Sequence, residues 1–328
     1  MKINTTMYQL PVHENAGHFS NLSLIEHPHG GFIAIYSFSL SNKDDNYHYV
    51  ESHYFDVLSH KWKTIGTPFS CVSNEILDFS QVTYLNFMGN LQTIYSLDHH
   101  LKQQFSYDYG KSWKSPIEIL EDSVAWQVKK QPIFVKMGRI VLPVFDKASG
   151  RSFTYISEDT GKNWFPSVFI EPNDDLIDNQ DDLNSAGIQM KNPVLIQAGE
   201  RKIFCYVQEE NQDFLLRAIS DDFGETWSYT EQTTIPIGIG VFDLIRLRDA
   251  NGNFTPNIAL IMAFKRNEES FGINLSISND IGQSWNSFKE IETVNTPITD
   301  MTLLQTIENM LHILFCTNSS VYHLIVEV

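Results

Sequence analysis

Apolar residues in this chain gather in short blocks rather than along a helical stripe. The blocks read GFIAIYSF (31–38), LQTIYSL (91–97), RIVLPVF (139–145), KIFCYV (202–207), IALIMAF (258–264) and MLHILF (310–315). Each is rich in Ile, Val, Phe and Tyr and is bounded by turn residues, the signature of a buried β-strand. No convincing amphipathic helix interrupts them, so an all-β fold is expected.

The polar positions between the blocks repeat. Ser-x-Asp-x-Gly-x-x-Trp is spelled as SYDYGKSW (106–113), SEDTGKNW (157–164), SDDFGETW (220–227) and SNDIGQSW (278–285). The tryptophans of these boxes, Trp113, Trp164, Trp227 and Trp285, are 51, 63 and 58 residues apart. Trp62 lies 51 residues before Trp113, in YFDVLSHKW, and reads as a worn copy without its Gly. A period of about 50 residues predicts a propeller or a solenoid.

Each unit then reads alike. An inner strand leads to a tight turn, such as HPHG (27–30) or AGER (198–201), and the buried strand follows. A variable loop, a third strand, the box and an outer strand complete the unit. Stacked radially, such units make a six-bladed β-propeller of four-stranded antiparallel blades, a single domain over residues 1–328. The N-terminal strand around Met7–Val12 is expected to complete the last blade. Within the boxes a short acid accepts N–H bonds from the residues after it, and Gly supplies the positive φ. Asp108, Asp159, Asp222 and Asp280 therefore read as structural turn staples.

Composition narrows the partners. The chain carries 40 acidic and 23 basic side chains, a formal charge of −17, which repels phosphate backbones. No nucleic-acid partner is expected. MKINTTMYQL has no apolar leader run and no segment approaches membrane-spanning length, so no membrane partner is expected and the location is read as cytoplasmic. Cys71, Cys205 and Cys316 lie far apart without CxxC spacing, which predicts buried thiols rather than disulfides or zinc ligands. The acidic stretch EPNDDLIDNQDDLN (171–184) lacks the Gly and terminal Glu of a calcium loop and reads as a solvated connection that could lid a pocket. No metal and no cofactor are expected.

The repeated motif is the Asp box, and the chain resembles the sialidase superfamily, in particular its BNR-repeat, sialidase-like branch. The resemblance runs through GHFSNLSLIEHPHGGFIAIYSF, KKQPIFVKMGRIVLPVF and GVFDLIRLRDANG. For a sialidase it implies three arginines on the substrate carboxylate, a Tyr–Glu nucleophile and an Asp acid/base. This chain has no Arg before Arg139, and His18 and Asn21 occupy the first arginine's neighbourhood. Gln208 falls where a second is implied, and Arg266 keeps a third. The tyrosine position falls on Asp300, its partner near Asn192, and Asp44 and Asp45 stand in for the acid/base. Most of the sialidase set is thus replaced.

Strand direction sorts the remaining candidates. Boxes and inner turns share one face, where His27 and His29 are turn residues, and variable loops and inner-strand starts share the other. A central cleft forms on that second face. Its expected catalytic groups are Asp300, Asp243, His18 and Asp45, with Lys130, Arg266, Gln208, Asn192 and Glu209 as substrate-binding groups. Two carboxyls suit glycosidase chemistry, whereas cations with a His base suit elimination beside a uronate. The reading is an enzyme acting on a glycosidic bond of an acidic or deoxy sugar, of hydrolase or lyase type and not a true sialidase. A non-catalytic glycan- or ligand-binding propeller and an intracellular biosynthetic tailoring enzyme are the alternatives. In each case a small molecule or glycan occupies the central cleft.

Overall fold

The computed structural model describes residues 4–40, 47–72, 79–86, 88–97, 100–120, 125–136, 138–173, 188–285, 287–306 and 310–327. Asp44, Asp45, His99 and most of the acidic stretch 171–184 lie outside these residues. Among the described residues no helix is long and apolar enough to cross a membrane.

The strands form six antiparallel sheets arranged as a six-bladed β-propeller. Strand β1 (Thr5–Gln9) opens the chain. Blade one is β2 (Ala16–Glu26), β3 (Phe32–Leu40), β4 (Tyr47–Asp56) and β5 (Lys61–Val72). Blade two is β6 (Ser80–Leu85), β7 (Leu91–Leu97), β8 (His100–Ser106) and β9 (Ile117–Leu120). Blade three holds β10 (Trp126–Gln127), β11 (Ile133–Lys136), β12 (Arg139–Asp146), β13 (Arg151–Ser157) and β14 (Phe165–Pro166). Blade four is β15 (Met190–Gln197), β16 (Ile203–Glu209), β17 (Phe214–Ser220) and β18 (Glu231–Pro236). Blade five is β19 (Phe242–Arg248), β20 (Phe254–Lys265), β21 (Phe271–Ser278) and β22 (Lys289–Val294). Blade six is β23 (Ile298–Gln305), β24 (Met310–Thr317) and β25 (Val321–Glu327), with β1 as its outer strand.

The closing strand pairs Thr5 with Val326 and Gln9 with Tyr322, so it lies nearer the N-terminus than Met7–Val12. Pro11 explains the shift, since proline has no N–H to give a ladder. The inner strand of blade three is not continuous. β10 and β11 both pair with β12, and residues 128–132 between them carry Lys129 and Lys130.

The apolar blocks are buried on both faces because each blade is sandwiched between two others. In β20, Ile258, Leu260 and Met262 pack toward blade four, and Ala259, Ile261 and Ala263 pack toward blade six. Alternation along a strand thus serves two cores, and the sequence reads as an unbroken apolar run. Each gap between neighbouring blades holds one such apolar cluster.

The boxes fasten these gaps. Ser220 Oγ accepts the N–H of Gly224 at 2.8 Å and donates to Asp222 Oδ1 at 2.8 Å; Asp222 Oδ1 accepts the N–H of Thr226 at 2.9 Å. Asp108, Asp159 and Asp280 repeat the pattern with their own Ser and Gly. The residue before each box glycine is also left-handed: Tyr109, Thr160, Phe223 and Ile281 have φ of 57°, 64°, 63° and 58°. At Gly224, a Cβ would meet Val141 Cγ1 of the preceding blade at 2.9 Å. Glycine is needed there for closeness as much as for its φ of 90°. The worn copy keeps its acid: Asp56 Oδ1 accepts the N–H of Leu58 at 3.0 Å, and Trp62 is buried between blades six and one.

Candidate functional site

The central channel is lined by the inner strands, and these strands are irregular where they start. β2 shifts register between Gly17 and Ser20 and again between Ser20 and Ser23, with His18 and Asn21 at φ of 51° and 56°. β15 shifts between Lys191 and Val194 around Asn192, whose φ is 53°. β23 shifts between Ile298 and Asp300. Non-glycine residues held at positive φ cost energy, and bulges of this kind re-aim side chains beside binding sites.

A belt of polar side chains crosses the channel below these bulges. Asp300 Oδ2 accepts the N–H of Leu22 at 3.1 Å, joining blade six to blade one. Asp243 Oδ2 accepts the N–H of Leu303 at 2.9 Å, joining five to six. Ser23 Oγ accepts the N–H of Thr83, and Ser80 Oγ that of Val128, each at 2.9 Å. Lys130 reaches in from the interrupted strand of blade three. Its Nζ donates to Met301 O at 2.9 Å and lies 3.6 Å from Asp300 Oδ1. Burial pushes the Asp243 carboxyl above the usual carboxylate range, and Lys130 pulls it back down. Asp243 is 5% exposed and Lys130 7%. The other Asp243 oxygen, Oδ1, accepts the N–H of Leu244 at 2.9 Å, and Asp300 Oδ1 accepts that of Met301 at 2.8 Å. The structure therefore brings Asp243, Asp300 and Lys130 together as expected, but commits both carboxylates to backbone donors.

The belt divides the channel into two chambers. The upper one has a volume of about 520 Å³ and opens on the face opposite the boxes. Its described lining includes His18, His48, Lys129, Lys147 and Lys191, and none of its described lining residues is Asp or Glu. Lys129 is partly accessible, yet the funnel walls desolvate it and lower its pKa; Asp300 opposes that shift. Lys191 pairs at the rim with Glu210. Asn192 lines this chamber and donates to Gln208 Oε1 at 3.1 Å and to Gly240 O at 3.2 Å. Gln208 thus supports Asn192 from beneath.

Two expected binding residues point elsewhere. Glu209 is buried in its own turn, where it accepts the N–H of Asn211 at 2.8 Å. Arg266 is exposed on the β20–β21 connection, 3.6 Å from Glu290, and is not among the residues lining the chamber. Lys147, Lys191 and His48 escaped the sequence reading. No local run announces them, since three blades supply the cations, but each lies at the upper end of a strand and could have been found from strand direction. Cys205 and Cys316 are buried free thiols.

Three solved structures similar in fold cover most of this chain. A protein of unknown function from Dyadobacter fermentans aligns at 14% identity and TM-score 0.71, covering 99% of each chain. Hadza microbial sialidase Hz136 aligns at 12% identity and TM-score 0.70, over 93% of this chain and 65% of that one. The Penicillium chrysogenum α-L-arabinanase, solved with arabinobiose, aligns at 13% identity and TM-score 0.64, over 97% and 95%. Identities this low show a shared fold and nothing more. No curated protein matches the sequence. The BNR repeat-like domain family matches residues 83–319, most of the chain and four of the Asp boxes. With that match, the closed ring and the box geometry in agreement, the chain belongs to the BNR repeat-like domain family of sialidase-like β-propellers.

Proposed function

We propose that this propeller takes an acidic sugar in its upper chamber and breaks a glycosidic bond beside the sugar's carboxylate. One observation carries the reading: an acidic protein gathers His18, His48, Lys129, Lys147 and Lys191 around a single funnel whose described lining holds no Asp or Glu. Fold neighbours that are a sialidase and an arabinanase support a carbohydrate ligand by analogy alone.

The lining favours elimination over hydrolysis. Lysines neutralise the uronate carboxylate and so acidify the neighbouring C–H. His18 accepts that proton, the C–C double bond forms, and the C–O bond to the leaving sugar breaks. A protonated lysine returns a proton to the leaving oxygen. Hydrolysis would instead need one protonated and one free carboxyl flanking the bond. Asp243 has the raised pKa for the acid, but both of its oxygens accept backbone N–H groups.

Binding without turnover is the second reading, favoured by the same commitment of Asp243 and Asp300 to the backbone. Oligogalacturonates and oligoglucuronates separate the cases. Ultraviolet absorbance from an unsaturated product supports elimination, and reducing ends without that absorbance support hydrolysis. Saturable binding without product supports the second reading. Absence of both binding and product would overturn the acidic-sugar proposal.

A further inference from the structure

The lysines of the upper chamber and its floor are not equivalent. Lys130 donates to Met301 O and faces Asp300, and Lys191 pairs at the rim with Glu210. Lys129 lines the chamber and makes no hydrogen bond and no ion pair among the described residues. Asp300 is near enough to act on its charge, but the Asp300 oxygens already accept the N–H groups of Leu22 and Met301. Lys130 Nζ also stands 3.6 Å from one of them. The carboxylate is spent, and the Lys129 amine is left unclaimed.

The amine stands at a break in the wall. Lys129 lies in the 128–132 interruption between β10 and β11 and is partly accessible. Besides the chamber it lines a small recess formed with Pro143, Phe145 and Pro193. Phe19, Phe79 and Phe145 give the chamber apolar walls. Desolvation first, and then Lys130 and Lys147, disfavour its charged form. A lysine kept from water beside other cations is more often neutral, and the neutral amine is a nucleophile.

We propose that Lys129 is a nucleophile that captures a 2-oxo acid as an imine in the upper chamber. Its Nζ attacks the carbonyl carbon, the C–N bond forms and the C=O π pair moves to oxygen. A proton passes from the nitrogen to that oxygen. The oxygen then takes one further proton, for which His18 in the same chamber is the donor. The C–O bond breaks, water leaves, and a protonated C=N bond remains. Nothing is oxidised or reduced.

A carboxylate on the carbon beside the carbonyl selects the substrate class. It falls toward Lys147, which is close enough to act on Lys129, and the described lining has no Asp or Glu to repel it. A simple ketone or aldehyde lacks that anchor. The inference goes beyond the acidic-sugar reading and does not depend on it. That reading uses the charge of the lysines, whereas imine formation uses the lone pair of one.

The test incubates the full chain with pyruvate and sodium cyanoborohydride, which reduces an imine to a stable secondary amine. Peptide mass spectrometry then locates the label. Lys129 is labelled about tenfold faster than an exposed lysine such as Lys63, as a lowered pKa raises its neutral fraction. With methyl pyruvate, which lacks the charge, the preference for Lys129 over Lys63 shrinks by about threefold. Lys129→Arg keeps the cation and abolishes the fast labelling of the intact protein. The map of the unaltered chain decides the matter alone if that variant fails to fold, and it does so whether or not any sugar binds. Equal labelling of Lys129 and Lys63, or fast labelling that survives in folded Lys129→Arg, overturns the nucleophile. A preference undiminished with methyl pyruvate overturns the choice of a 2-oxo acid.

Discussion

Lys130 of the third blade and Asp300 of the sixth meet across the propeller axis, with Nζ 3.6 Å from Oδ1. Lys130 also faces Asp243, whose raised pKa it counteracts. One buried cation thus serves two carboxylates that clasp three blades. Lys130→Met should lower stability by about 3–5 kcal/mol, the cost of leaving buried charge unpaired. Urea unfolding midpoints measure this. Adding Asp300→Asn to the lysine variant should recover part of the loss, and a strictly additive double mutant would contradict the coupling.

The boxes give a second prediction, about architecture alone. Ser220 is almost fully buried, and its Oγ is the acceptor for the Gly224 N–H. Ser220→Ala strands that N–H and should cost about 1–3 kcal/mol. Gly224→Ala should cost at least as much, because the new Cβ meets Val141 Cγ1 at 2.9 Å while φ stays at 90°. Asp222→Ala releases the Thr226 N–H and hydroxyl and should lower the melting temperature. Acidic-sugar binding should survive in all three folded variants, since the boxes face away from the upper chamber. Loss of binding in a variant with an unchanged melting curve would assign the boxes a direct role.

A third prediction concerns acid. His312 and His323 are buried between blades six and one, with Nδ1 of the first 3.0 Å from Nε2 of the second. Burial lowers the His312 pKa from 6.5 to about 4. Burial, and then the neighbouring His312, lowers that of His323 from 6.5 to about 3. The unfolded chain therefore binds two protons below pH 6.5 that the folded chain refuses until about pH 4 and about pH 3. The stability present above pH 6.5 is lost as the pH falls toward those folded values. Each histidine contributes a slope of about 1.4 kcal/mol per pH unit inside that window. Denaturant titrations between these limits check it, and His323→Leu should roughly halve the slope. A flat profile would show that the pair titrates normally.

What the sequence made legible follows from where the information sits. The boxes were readable because Ser, Asp, Gly and Trp do their work within one turn, at fixed spacing. The strands were readable because residues such as Ile258 to Ala263 are buried on both faces. The upper chamber was only half readable. Strand starts placed His18 and Lys129 in it and Asp243, Asp300 and Lys130 in the belt beneath, and the family resemblance pointed to Asn192, but Lys147 and His48 enter from the far ends of other strands and meet them only after ring closure. The break between β10 and β11, which turns Lys129 and Lys130 inward, has no local signature beyond Pro132. The roles of Glu209 and Arg266 were unreadable because neighbours such as Asn211 and Glu290 decide where their side chains point.

The last prediction tests the cationic funnel through Lys129. Its pKa is lowered first by desolvation, and also by Lys130 and Lys147, while Asp300 opposes them. An arriving carboxylate adds a negative charge to the same space and favours the protonated amine, so binding and proton uptake are linked. Affinity for digalacturonate should therefore fall as pH rises through a Lys129 pKa that lies below the ordinary 10.5. It should also fall with ionic strength, because the partly open funnel is screened. Lys129→Met removes the charge and keeps most of the bulk, and should weaken binding by about tenfold while flattening the pH profile. Calorimetry in two buffers of different ionisation heat measures the proton uptake directly. An affinity indifferent to salt, to pH and to this substitution would mean that the acidic sugar is not held by the lysines of the upper chamber.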